Sequence, residues 1–256
     1  MAGPGLQVDD GNGCGLVACT WSHQPMMPCE FVSRWFNWYS GVLSGNEDNQ
    51  VRHLVTWMQY GALWLQKARS LQREHILRAA DENPELRLTH ALFVDCDMTW
   101  PLNSVDRLLS HDKDIVSGRC HSKQPPYYSN ARVWGADGTL EMIEDPPEDG
   151  LTKVDMAGFG FILIKIDVLR NVPDNCFWAP PEHPDLSEDI SFCYHAGKAG
   201  YEVWYDWGLD IAHWHMMPIT RAAARGAKTA MAQVEKSRKA AAQAQLLPWR
   251  NRKPKP

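Results

Sequence analysis

The chain has 256 residues, of which 44% are hydrophobic and 22% charged, with a formal net charge of -5; this suits one large α/β domain with an appendage and excludes a chain too polar to build a core. Ten of the 26 basic residues, but one of the 31 acidic ones, lie from Arg221 onward, so an acidic body carries a basic tail. Seven cysteines without a Cys-x-x-Cys pair argue against a disulfide framework or a zinc site, and no apolar run nears the roughly 20 residues of a membrane span, so a soluble, cytoplasmic protein with no transmembrane segment is expected.

Met1 to Gly13, rich in Gly and Asp, reads as a flexible lead-in. Gly15 to Thr20 is the first expected strand, followed by a turn through Trp21 and Ser22. From Pro28 to Leu43 the apolar residues Phe31, Val32, Trp35, Phe36, Trp38 and Val42 suit a helix covering a sheet. His53 to Met58 fits a second strand. Ala62 to Ala80 fits a long helix, with Leu63, Leu65, Ala68, Leu71, Ile76 and Leu77 at helical intervals.

Next comes the most informative stretch. Ala91 to Val94 is a short, apolar, β-branched and aromatic run, the pattern of a buried strand in a mostly parallel sheet. It ends in Asp95-Cys96-Asp97. Two carboxylates one residue apart repel, and partial burial disfavours their ionisation. A divalent cation relieves both penalties, and hard cations such as Mg²⁺ or Mn²⁺ often share carboxylates with a phosphate. The plainer alternative is that both aspartates begin a loop and cap the next helix. That helix is expected over Val105 to Leu109, and Asp114 to Gly118 is another strand. Arg119 to Lys123 is a basic turn.

Val133-Trp134 and Leu140 to Ile143 flank a Gly135-Ala136-Asp137-Gly138 turn, a β-hairpin pattern. Glu144 to Gly150 is acidic and Pro-rich, and reads as exposed. Gly158-Phe159-Gly160 precedes the apolar strand Phe161 to Lys165. With no third glycine opening a helix, it is not a dinucleotide fingerprint; glycines there let backbone approach a ligand. Trp178 to Leu186 is a Pro-rich loop. Ser187 suits a helix N-cap, with Glu188 and Asp189 in the first turn, where the dipole favours negative charge. A strand is expected up to Asp206, and another over Leu209 to His215. Ala-rich Thr220 to Gln245 should be helical. The basic end beyond it is either a solubilising terminus or a contact for nucleic acid or another anionic partner. Twelve tryptophans suit core packing or a sugar- or base-stacking surface.

The segments His90 to Asp97, Ser104 to Leu109 and Lys113 to Gly118 resemble nucleotide-sugar-dependent glycosyltransferases of the GT-A fold, particularly small bacterial and phage members. Gly158-Phe159-Gly160, Ser187-Glu188-Asp189 and His213 are similar to further segments of that family. The resemblance implies an α/β fold of GT-A type, Rossmann-like, with a mostly parallel central sheet flanked by helices. It covers a domain over residues 14–219, leaving the basic tail over 220–256. It implies Mn²⁺ or Mg²⁺ on Asp95, Asp97 and His213, and a nucleoside-diphosphate sugar as donor. Thr20, Arg69, Asp95, Lys123, Gly158 and Gly160 would border that donor. In inverting members the acidic pair supplies the base, here Asp189 with Glu188 orienting the acceptor, or the reverse. The acceptor would be a hydroxyl of a saccharide or protein, or of a hydroxylated DNA base. A nucleotidyltransferase on a similar sheet, or a non-catalytic carbohydrate- or nucleic-acid-binding module, are the other readings.

Overall fold

The computed structural model describes residues 14–22, 29–44, 50–60, 64–123, 127–143 and 146–214. The lead-in, His23, His215 and the whole basic tail, with the helix expected over 220–245, lie outside the described residues.

Seven strands form the central sheet: β1 (Cys14–Ser22), β2 (Val51–Tyr60), β3 (Leu88–Asp95), β5 (Ile115–Arg119), β8 (Leu151–Val154), β9 (Phe161–Lys165) and β10 (Val203–Asp210). Their order is β2-β1-β3-β9-β5-β10-β8. Five run the same way; β9, between β3 and β5, and β8, at the edge, run against them. Two short ribbons accompany the sheet: β4 (Met98–Thr99) with β11 (Ala212–His213), and β6 (Arg132–Trp134) with β7 (Leu140–Met142).

Both faces of the sheet are covered, which is why its strands read as continuous apolar runs rather than alternating ones. Leu16, Ala18, Leu92, Val94, Val116, Phe161 and Leu163 meet α1 (Cys29–Leu43) and α3 (Ser104–Ser110) on one side. Val17, Cys19, Ala91, Phe93, Ile115, Ile162 and Ile164 meet α2 (Leu65–Glu82), α4 (Ile166–Asn171) and α5 (Glu188–Lys198) on the other. Each fully buried Leu, Ile or Phe among them contributes roughly 1.5–3 kcal/mol.

Several boundaries differ from expectation. The first strand continues through Ser22, so Trp21 and Ser22 lie within β1 rather than in a turn after it. In α1, Phe31, Trp35, Trp38 and Val42 are buried, whereas Val32 and Phe36 face out. Residues 32 and 36 sit one position, about 100° of rotation, off the inward stripe. Leu209 and Asp210 complete β10, and only Ala212 and His213 form the following strand. The short elements β4, β8 and α4 had no expectation, because two to six residues carry too little periodicity to read.

From β1 the chain crosses by α1 to β2 on one side, then returns by α2 to β3 on the other. The strand order therefore reverses between β1 and β3. In open α/β sheets the crevice outside the carboxyl ends of the strands at such a reversal is where ligands bind. Asp95, opposite Trp21 in the β1–β3 register, stands there.

Candidate functional site

The backbone of the Asp95-Cys96-Asp97 turn is fixed from two sides. The Asp95 N–H donates to the Gly160 carbonyl at 3.1 Å, and the Trp214 N–H donates to the Asp97 carbonyl at 2.8 Å. Pairing of β4 with β11 sets His213 opposite Met98, directly after the turn.

Asp95 is held by Arg69, whose Nη2 lies 2.5 Å from Oδ1. Arg69 is buried at 1% exposure, with a second nitrogen 3.1 Å from the Gln72 Oε1 and its guanidinium over the rings of Phe93 and Phe159, at 5.9 and 5.3 Å. Its Nε and the Gln72 amide nitrogen have no hydrogen-bond partner among the described residues, nor does the hydroxyl of fully buried Thr20. Buried polar atoms are nearly always paired, so orphans clustered near a crevice are notable.

Asp97 is held differently. Lys123 forms an ion pair with its Oδ2, and the His213 Nε2 lies 3.5 Å from its Oδ1. Burial pushes the Asp97 carboxyl up, but hydrogen bonds and charge from His213 and Lys123 outweigh it and hold it down at about 2. The other imidazole nitrogen of His213, Nδ1, lies 2.8 Å from the His121 carbonyl, which can only accept. Nδ1 therefore carries a proton, and Nε2 is the ring nitrogen turned toward Asp97.

The start of α5 adds the acidic pair. Glu188 is buried and its carboxyl is pushed up to about 7, first by burial and then by the charge of Asp189; Arg69 opposes the rise. The Asp189 Oδ1 accepts from the Ser187 hydroxyl and from the Ile190 N–H, at 2.8 Å for the latter. Ser187 precedes the helix as expected, yet its hydroxyl bonds Asp189 rather than a backbone N–H of the first turn.

The expected site residues thus gather at one end of the sheet, with two differences of detail. Among the described residues no three His, Cys, Asp or Glu side chains converge as a metal cluster. Asp97 faces His213, while Asp95 is engaged by Arg69. The glycines of Gly158-Phe159-Gly160 make room for protein: a Cβ on Gly158 would lie 2.5 Å from the Asn130 amide nitrogen, and one on Gly160 2.3 Å from the Met98 methyl. Side-chain ends of Asn130 and Met98 already occupy that space and would have to shift to admit a larger residue. Gln72, packed on Arg69, and His121, which orients His213, carry no motif and were not legible.

No known family profile matches the sequence, and no curated protein matches it. Among solved structures, the chain is similar to the crystal structure of A197 from STIV, with a TM-score of 0.53 and 13% identity, over 79% of this chain and 86% of that one. It is also similar to the crystal structure of GalNAc-T7 with UDP, GalNAc and Mn²⁺, with a TM-score of 0.47 and 10% identity, over 81% of this chain and 45% of that one. At such identities the likeness to A197 speaks to the fold alone, and the second is too slight to carry an argument. The expected fold class, α/β with a mostly parallel central sheet flanked by helices, is the one observed. No described helix is long and apolar enough to cross a membrane.

Proposed function

We propose that the chain is a glycosyltransferase that moves a sugar from a nucleoside-diphosphate donor to a hydroxyl acceptor, with Mn²⁺ or Mg²⁺ as cofactor. One observation carries the reading: an ionised Asp97 at the strand-order reversal, facing the Nε2 of His213 and a lysine that can exchange it for another anion. The residues present fit a divalent cation. Asp97 and His213 supply an oxygen and a nitrogen donor, and Asp95, released from Arg69, would supply a second carboxylate. A cation held there would stabilise the negative charge of the departing diphosphate.

The chain's own groups account for the remainder. Arg69 and Lys123, once released from Asp95 and Asp97, would take phosphate oxygens, Arg69 through its planar fork. The acceptor oxygen bonds to the anomeric carbon as the bond from that carbon to the diphosphate oxygen breaks; the nucleoside diphosphate leaves with the electron pair. The acceptor proton passes to a carboxylate. Asp189 has a second oxygen beyond the one engaged by Ser187 and Ile190, and serves as that base. Glu188, able to hold a proton near neutrality, orients the acceptor by donating a hydrogen bond.

The test is binding and hydrolysis of a panel of nucleotide-sugars, with and without Mn²⁺, for the wild-type chain and Asp97→Ala. Metal-dependent use of one donor, lost in the variant, is expected. No donor bound by the folded wild-type protein would overturn the reading. Asp189→Asn and Glu188→Gln then separate the two carboxylates: loss of kcat in the first, with a smaller effect in the second, identifies Asp189 as the base. A rate largely retained in Asp189→Asn would instead indicate a retaining mechanism.

A further inference from the structure

A cavity of about 430 Å³ lies beside α5, bounded by Trp134 of β6, the loop residue His183, and Tyr194 and Gly197 of α5, with Asp155 and Lys198 at its edge. Three rings line it in sequence. Trp134 and His183 have centroids 5.0 Å apart at an interplanar angle of 33°, and His183 meets Tyr194 edge-on at 5.4 Å. The Tyr194 hydroxyl donates to Glu182 at 2.6 Å, tying the Pro-rich loop to the helix. The Lys198 ammonium sits 5.3 Å over the Tyr194 ring. The Asp155 carboxylate accepts the Trp134 N–H at 2.8 Å through one oxygen, Oδ2.

The cavity adjoins the acidic pair. Asp189, Cys193 and Gly197 recur every fourth residue on α5, so they form one row along the helix. Cys193 and Gly197 line the cavity, and at 1.5 Å per residue they stand roughly 6 and 12 Å beyond Asp189. Two further features keep the space open. A Cβ at Gly197 or at Gly138, which also lines it, would meet nothing within 4 Å.

We infer that this cavity is a saccharide subsite for the acceptor, one sugar ring removed from the hydroxyl that reacts at Asp189. The inference rests on the proposed function. Ring faces bordered by a carboxylate and an ammonium match a pyranose, which has an apolar C–H face and a rim of hydroxyls. A position one to two helical turns from the base suits the neighbouring ring of an oligosaccharide rather than the reacting one. The acceptor class is thereby a chain of at least two sugars.

The experiment uses the full chain without donor, so that its outcome is independent of the donor test. Saturation-transfer NMR reports binding of a library of mono-, di- and trisaccharide methyl glycosides, with duplex DNA containing 5-hydroxymethylcytosine as a separate arm. Gly197→Phe fills the cavity from an open position; Trp134→Ala removes a ring face. Gly41→Phe, at a glycine of α1 whose Cβ position is equally open, is the control. Melting curves report that each variant folds. Binding of di- or trisaccharides at least tenfold tighter than of the monosaccharides, lost in both cavity variants and kept in the control, is expected. Overturning results are saccharide binding unchanged by both variants, no saccharide bound at all, or binding of the modified DNA that ignores Gly197→Phe.

Discussion

Two carboxylates, one inside a strand and one just past the end of another, are held by cations, and they are held in opposite ways. Asp206, on β10, is fully buried and saturated. Arg107 grips both oxygens, at 2.6 and 2.7 Å, His111 adds a contact at 2.8 Å and the Gly208 N–H one at 3.1 Å. Asp97 is 23% exposed, its lysine partner 35% exposed, and its histidine stands off at 3.5 Å. The first arrangement leaves nothing for a ligand to complete. The second leaves its carboxylate partly exposed, held through one lysine and a distant imidazole. Similar residue types thus make a rivet in one place and a loosely held, partly exposed carboxylate in the other; saturation and exposure tell them apart.

The comparison breaks if the two clusters respond alike to mutation. The largest effect expected is on activity: Asp97→Ala should lower kcat/KM for the proposed transfer by on the order of 10²–10³-fold, with little change in melting temperature, because Lys123 can turn to water. Arg107→Ala should do the opposite. Stripping the main partner from a buried carboxylate costs on the order of 3 kcal/mol, a fall of roughly 6–12 °C in a domain of this size, while donor binding persists. Calorimetry and donor titration on both variants measure the pair of outcomes. His111→Ala removes one charged hydrogen bond from the same carboxylate and should cost about 1–2 kcal/mol, read from a denaturant midpoint.

Acid sharpens the distinction further. Burial raises the Asp206 carboxyl, but Arg107 and His111 outweigh it and leave it below its ordinary value. A depressed folded value means that the unfolded chain binds the proton more readily. The stability from Asp206 is therefore present above about pH 4 and lost as pH falls through the folded value. Asp206→Asn should flatten that limb of the stability curve relative to wild type; an unchanged acid limb would refute the assignment.

What the sequence discloses follows the distance over which its signals act. The Asp95 strand was legible because a short apolar run ending in two acids is a local pattern, and α1 because six aromatic or branched residues fall at near-helical spacing, four of them on the buried stripe. Ser187-Glu188-Asp189 announced the start of α5. Arg69 was visible as a candidate, but not its burial over Phe93 and Phe159, which come from 24 and 90 positions away in the chain. The clamp of Arg107 on Asp206 joins residues 99 apart, and the ring sequence of Trp134, His183 and Tyr194 joins a hairpin, a loop and a helix. Such pairings exist only once the topology has brought the elements together. The glycines at 158 and 160 show the converse. Their small size invites a ligand reading, yet the space beside them is occupied by the side-chain ends of Asn130 and Met98.

The arrangement around Asp95 and Asp97 also bears on the order in which ligands arrive. The two aspartates and their partners Arg69 and Lys123 sum to no charge. A centre already balanced offers a lone dication little electrostatic gain, since admitting it leaves a surplus of two positive charges. A dication that enters together with a diphosphate brings its own counter-charge, and the released guanidinium and ammonium find phosphate oxygens in place of carboxylates. On the proposed reading, the protein should therefore take its metal and its donor as a single load, and apparent metal affinity should rise with donor concentration.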